Sequence, residues 1–167
     1  MLGGRYRIDE PLGAGGQGRV FAGHDTWLDR PVALKQMPGA GAHALRREFE
    51  TLRAVRHPAL VEALDLLEDG NQVTLVETRI SGESVEAWAR WQNPREVLRA
   101  LAPIAHALAH LHVRGIAHGD VSPSNILVDH AGRAVLIDLG FSARRGQGGR
   151  VAGTPGFLAP ERIGEGA

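Results

Sequence analysis

His118-Gly119-Asp120-Val121-Ser122-Pro123-Ser124-Asn125 sets a carboxylate and a carboxamide five residues apart, directly ahead of the apolar run Ile126-Leu127-Val128. A second acidic landmark follows, Ile137-Asp138-Leu139-Gly140. Asp120, Asn125 and Asp138, on short loops beside buried strands, make an oxygen-rich holder suited to a metal-bound polyphosphate. Magnesium favours oxygen ligands and keeps several waters, so a few protein oxygens suffice. The spare carboxylate can orient an attacking hydroxyl or accept its proton. Gly-Asp and Ser-Pro-Ser-Asn are also ordinary turn chemistry, so this stretch alone leaves a plain loop open.

The 167 residues suffice for one ordinary domain or for part of a larger one. Lysine plus arginine number 19 and aspartate plus glutamate 19, so no net field recruits nucleic acid or an anionic membrane. Cysteine is absent, which removes disulfides and thiolate metal sites and suits a reducing, cytoplasmic setting. Met1-Leu2-Gly3-Gly4-Arg5 leads straight into polar residues, unlike a signal peptide. The longest apolar stretch, Val97 to Val113, is broken by Arg99, His106, His110 and His112 and is short for a membrane span. A soluble segment is expected.

In chain order, Tyr6 to Leu12 and Val20 to Gly23 read as strands flanking the glycine-rich turn Gly13-x-Gly15-x-x-Gly18. Glycine allows close approach to a ligand and positive φ. The spacing also matches a dinucleotide fingerprint, but that site requires a helix after the glycines, and Val20-Phe21-Ala22 is strand-like. A merely flexible hairpin stays open. Pro31 to Met37 is the next strand and carries Val32-Ala33-Leu34-Lys35, whose amine either enters a cleft or is a solvated strand end. Gly39 to Ala42 read as a loop. Ala44 to Val55 read as an amphipathic helix with Leu45, Phe49, Leu52 and Val55 towards a core; Glu48 and Glu50 lie off that stripe. Strands Leu60 to Leu67 and Gln72 to Thr78 flank the turn Glu68-Asp69-Gly70-Asn71. Ser81-Gly82-Glu83 is a connector to helices Ser84 to Trp91 and, after Asn93-Pro94, Arg95 to Arg114. Trp88 and Trp91 are assigned to the core. His106 and His110 stand one turn apart with His112 nearby, but no acidic residue or second ligand pair supports a metal. Short strands flank Asp129–Arg133, and Phe141 to Gly153 reads as a mobile loop.

The order of these features resembles the eukaryotic-like serine/threonine protein kinase family. The resemblance runs from Leu12 to Glu161. It implies an α+β, protein-kinase-like fold: an N-lobe antiparallel β-sheet with one helix at about residues 1–80, and the first part of a mainly helical C-lobe at about 81–167. It implies ATP and Mg2+ as ligands and a protein substrate. By it, Gly13, Gly15, Gly18 and Val20 match the loop over the phosphates, with Leu12. Lys35 matches the lysine on the α- and β-phosphates, and Glu48 its ion-pair partner, with Glu50 as the alternative. Asp120 matches the catalytic aspartate, and Asn125 and Asp138 the magnesium ligands. Ala33 and Val20 belong to the roof of the base site, the connector from Thr78 to Ile80 to its edge, and either Val76 or Glu77 to its back. Gly153-Thr154-Pro155-Gly156-Phe157 and Ala159-Pro160-Glu161 resemble the end of an activation segment.

Four departures accompany the resemblance. Gly119 replaces the arginine before the catalytic aspartate, and Ser122 the lysine two residues after it. Asp-Phe-Gly is Asp-Leu-Gly, and the sequence ends six residues after Glu161, as in a kinase domain cut short. A pseudokinase or nucleotide-binding interaction module therefore stays open, as does a small-molecule kinase of the aminoglycoside phosphotransferase type. The apolar positions of Val97–Val113, with Leu98, Leu101, Ile104, Ala105, Leu108 and Leu111, exceed what the N-lobe covers, so self-association through that surface is expected.

Overall fold

The computed structural model describes residues 1–15, 18–144, 153–154 and 156–158. The chain divides into two compact units, Met1–Ala54 with Glu62–Arg79, and Val55–Val61 with Ile80–Ala167.

The first unit is a five-stranded antiparallel sheet ordered β1-β2-β3-β5-β4, from β1 (Tyr6–Gly15), β2 (Gly18–Asp25), β3 (Arg30–Pro38), β4 (Ala63–Asp69) and β5 (Gln72–Thr78). Helix α1 (Ala42–Ala54) packs on β3, β4 and β5. β1 reaches further than the expected Leu12, because the glycines keep pairing: Gly13 faces Val20 and Gly15 faces Gly18. Gly18 has a φ of 100° and lies where a Cβ would meet the Gln36 carbonyl, so no other residue suits it. One sheet face carries the core of Tyr6, Val32, Leu34 and Val76, with Leu2, Phe21, Leu64 and Leu67 against it. The β2–β3 turn hangs on buried Asp25, which accepts Arg5 Nε at 2.8 Å and the Trp27 and Leu28 amides at 3.1 and 3.3 Å. These donors hold its carboxyl near 2, the arginine contributing most. The Arg5 guanidinium stacks on Tyr6 and Trp27 at 4.9 and 5.1 Å.

Other boundaries differ from expectation too: β2 runs from Gly18 to Asp25 rather than from Val20 to Gly23. A 3-10 turn at Gly39–Gly41 starts the helical path early, so α1 begins at Ala42. β4 begins only at Ala63. Leu60 belongs to the second unit, in a parallel bridge to Leu136.

The second unit contains β6 (Gly82–Ser84), α2 (Val85–Ala89), α3 (Pro94–Val113), β7 (Ile116–Ala117), β8 (Ile126–Asp129), β9 (Ala134–Leu136) and β10 (Ala143–Arg144). β6, where a connector was expected, pairs with β8 in a sheet ordered β6-β8-β9; β10 pairs with β7. Asn93 starts α3 through a capping box: its side chain accepts the Glu96 amide at 3.1 Å, and Glu96 accepts the Asn93 amide at 3.4 Å. Ala100, Ile104, Ala107 and Leu111 form the buried stripe of α3, while Leu98 is 69% and Val113 86% exposed. The expected core place of Trp91 is wrong. α2 ends at Ala89, and Trp91 stands in the turn beyond it, 85% exposed. Part of the loop expected to be mobile is ordered as β10, and residues 145–152 of it lie outside the described residues. No helix among the described residues is long and apolar enough to cross a membrane.

Candidate active site

Strand alternation decides what the first unit presents. Successive side chains point to opposite faces, so Leu34 enters the core while Ala33 and Lys35 share the other face. Val20 and Leu75 stand directly beside Lys35. The Lys35 ammonium is buried and donates to Glu48 Oε2 at 2.9 Å and Oε1 at 3.2 Å. Glu48 is 2% exposed although it lies off the apolar stripe of α1, because the cation neutralises it. Glu50 is exposed, so Glu48 and not Glu50 is the partner. Register also separates Val76 from Glu77. Val76 pairs with Leu34 in the core, whereas Glu77 pairs with Ala33 on the Lys35 face. Leu12 is 49% exposed on β1, and Thr78 ends β5 with its amide on the Glu62 carbonyl at 2.9 Å. Ile80 falls in the second unit.

In the second unit, Gly115 at φ 70° ends α3 and β7 leads into His118. The 3-10 turn Pro123–Asn125, with the Asn125 amide on the Ser122 carbonyl at 3.0 Å, folds the chain back. The Asn125 carboxamide therefore meets Asp120. Its Nδ2 donates to the Asp120 carbonyl at 3.0 Å and to Oδ2 at 2.8 Å. The other carboxylate oxygen, Oδ1, accepts the Thr154 amide at 2.7 Å. Asp120 is thus 8% exposed with both oxygens oriented. Buried His118 accepts the Asp120 amide on Nδ1 at 3.3 Å, and burial lowers its pKa against the opposing pull of Asp138. It acts as a neutral strut. The Ile137 amide donates to the Asn125 carbonyl at 2.8 Å and fixes the approach to Asp138.

Asp138 adopts φ 65°, a left-handed conformation uncommon for a side chain with a Cβ. The Gly140 amide donates to its Oδ1 at 3.1 Å, as an Asx turn does. Gly119 has a φ of 87°, and a Cβ there would press on the Phe141 carbonyl. Ser122 is buried, and its hydroxyl pairs with that of Ser124 at 2.9 Å. Asn125 spends its amide nitrogen on Asp120, so its oxygen and the Asp138 carboxylate are hard donors that fit magnesium. The Thr154 amide and the His118 strut were not among the expected contacts; a backbone N–H leaves no mark in sequence. Gly16, Gln17 and Ala159-Pro160-Glu161 lie outside the described residues.

The histidines arrange differently. The His57 and His110 rings stand 5.4 Å apart. His57 Nδ1 accepts the Ala59 amide at 3.1 Å, and His110 Nδ1 faces Arg114 Nη1 at 3.2 Å. A neutral imidazole that accepts on Nδ1 keeps its proton on Nε2, the nitrogen a metal would need. No group of three or more His, Asp or Glu side chains placed to hold a metal occurs among the described residues.

The chain matches the protein kinase domain model over residues 6–167. It is 35% identical over 181 residues to serine/threonine-protein kinase pkn2 of Myxococcus xanthus, covering 97% of this chain and 22% of that protein. Serine/threonine-protein kinase PrkC of Bacillus subtilis is 30% identical over 175 residues, 96% of this chain and 27% of the relative. The DNA damage-responsive serine/threonine-protein kinase RqkA of Deinococcus radiodurans is 33% identical over 178 residues, 97% and 27%. The chain spans about a quarter of the length of these curated relatives.

Proposed function

The chain belongs to the protein kinase family, and from that premise we propose that it carries ATP- and magnesium-dependent phosphoryl transfer to serine or threonine hydroxyls of a protein substrate. The observation that carries the reading is the Asp120 carboxylate, oriented at one oxygen by Asn125 and at the other by the Thr154 amide. Phosphoryl transfer rests on positioning and charge neutralisation rather than covalent chemistry. Gly13, Gly15 and Gly18 offer backbone to the phosphates, and Lys35, steadied by Glu48, holds the α- and β-phosphate charge. Leu12, Val20, Ala33, Thr78 and Ile80 take the base. Asn125 and Asp138 hold magnesium, which when bound neutralises charge on the phosphates. Asp120 orients the acceptor hydroxyl and takes its proton on a carboxylate oxygen. The cysteine-free composition supports a cytoplasmic setting. Of the α3 positions expected to drive self-association, Ile104 and Leu111 are buried and Leu98 stays exposed, so the apolar face left for self-association is smaller than expected.

A second reading, nucleotide binding with little turnover, is favoured by Ser122. Its hydroxyl is buried against Ser124 and offers no cation to the transferred phosphate. The full-length protein incubated with magnesium and γ-labelled ATP distinguishes the two. Label on serine or threonine of an acceptor protein, reduced about 10²-fold or more by Asp120→Asn, is expected. A folded, nucleotide-binding protein that transfers no label supports the second reading instead.

A further inference from the structure

The face of the first sheet turned away from Lys35 changes character along β3. Val32 and Leu34 enter the apolar core there, whereas Gln36 and Pro38, further along the same face, line a groove of about 770 Å³. Pairing sets Arg19 of β2 beside Gln36, and Gln72 of β5 and Asp69 of β4 in line with Pro38. Gln36 is the floor. It is 9% exposed, its Nε2 donates to Thr74 Oγ1 at 3.3 Å, and its Oε1 accepts Gln72 Nε2 at 2.8 Å. The second hydrogen on Gln36 Nε2 has no acceptor among the described residues. Asn71 lines the same groove, its side chain lying against Gly39, where a Cβ would strike Oδ1. Arg19 and Asp69 are exposed on opposite sides of the groove, and neither has an ion-pair partner among the described residues.

A carboxamide carries one acceptor and two donor hydrogens, which complement the C=O and N–H of a peptide group. Three carboxamides, those of Gln36, Asn71 and Gln72, share this groove. The two charges set its ends. In the order β2-β3-β5-β4, Arg19 and Asp69 stand three strand spacings apart, about 14 Å at the backbone. An extended chain covers that distance in about four residues, and residues four apart in it point the same way. We propose that the groove binds an extended peptide segment of a partner protein, with an acidic and a basic side chain four positions apart. The acidic one pairs with Arg19 and the basic one with Asp69, while the carboxamides take the peptide groups between them. A phosphate-rich ligand suits the groove poorly, because Asp69 repels it. A stacked base has no platform there, since no described residue lining the groove is aromatic. The groove lies on the face opposite Lys35, so the interaction needs neither nucleotide nor magnesium.

The test is a titration of the isotope-labelled full chain, without nucleotide, with the end-blocked peptide Glu-Val-Gln-Val-Lys. This peptide has no hydroxyl and so cannot act as a phosphoryl acceptor. The side-chain amide signals of Gln36 and Gln72 should shift saturably, with a Kd of about 1 mM or tighter. Arg19→Glu and Asp69→Lys should each weaken binding about tenfold or more, because a like charge then faces the peptide. The double exchange should recover wild-type affinity to within about threefold, with the peptide reversed. Melting curves report folding, which exchanges at these two exposed positions should preserve. A peptide of the same composition with Glu and Lys adjacent should bind the wild type about tenfold more weakly. A wild-type chain with no saturable shift, or one that binds both peptides equally, overturns the proposal without recourse to any variant. So do folded Arg19→Glu and Asp69→Lys chains that keep the wild-type affinity.

Discussion

Replacing Glu48 by leucine should be among the most damaging single changes available in the first unit. Lys35 is 4% exposed and Glu48 2%, with N–O distances of 2.9 and 3.2 Å. At an effective dielectric constant of about 20, unit charges about 3 Å apart attract by roughly 5 kcal/mol. Glu48→Leu removes that attraction and leaves the ammonium buried, a loss of about 3–5 kcal/mol. For a chain of this size each kcal/mol moves the melting midpoint by about 2–4 °C, so the fall should be on the order of 10 °C. Lys35→Met in the same chain should restore much of it, because an apolar pair of similar volume no longer strands a charge. Glu50→Leu, at an exposed position of the same helix, should change stability by no more than about 0.5 kcal/mol. Thermal unfolding of Glu48→Leu, Lys35→Met, Glu50→Leu and the Glu48→Leu, Lys35→Met double variant decides. A Glu48→Leu midpoint within about 2 °C of wild type, or a double variant as unstable as the two single losses added, would refute the reasoning.

Other outcomes follow from the second unit and from the titrating groups. Gly119→Ala and Gly119→Arg should each cost about 1–3 kcal/mol, because φ 87° and the Phe141 carbonyl oppose any Cβ; an unchanged midpoint in either would contradict this. Burial lowers the pKa of His57 and His118, so the unfolded chain binds more protons below about pH 6.5. Stability should be full above that pH and fall progressively below it; Asp25, held near 2, adds a second loss as pH drops from about 4 towards 2. Unfolding midpoints measured from pH 8 to 3 test both windows, and a midpoint that rises on acidification would count against them. Phosphatase treatment of the protein should leave its activity in place, since Gly119 supplies no cation to receive a phosphate and one on Thr154 would stand beside Asp120. Activity that collapses and returns with phosphate on Ser142 would overturn that.

Much of this arrangement was legible because apolar alternation and turn residues are local. The β5 span, the Asn93 cap and the Lys35 strand follow from residues within a few positions of one another. What escaped depends on partners far along the chain. β6 is three residues long and exists only because β8 pairs with it. Leu60 looked like the start of a strand, yet its backbone bridges Leu136. Trp91 fits a helical face, but α2 ends at Ala89 ahead of the Asn93-Pro94 start. At the site, Glu48 could not be separated from a solvated glutamate by hydrophobic periodicity, which has no way to register a charge buried by pairing. Which of Val76 and Glu77 shares a face with Lys35 is a matter of strand parity, and the pairing of Glu77 with Ala33 and of Val76 with Leu34 puts Glu77 there. Gly119 read as a missing arginine; its left-handed φ adds a backbone reason for glycine there.

The most direct test of the central claim is the magnesium dependence of ATP binding, read as a thermal shift of the folded chain. A ligand present at 100 times its Kd stabilises the folded state by about 2.7 kcal/mol, which for this chain is about 5–10 °C. The account predicts such a rise with millimolar ATP and magnesium, much less with ATP and a chelator, and loss of the magnesium-dependent part in Asp138→Ala. A folded sample with no magnesium-dependent shift, or an Asp138→Ala chain that keeps the full shift, would contradict it.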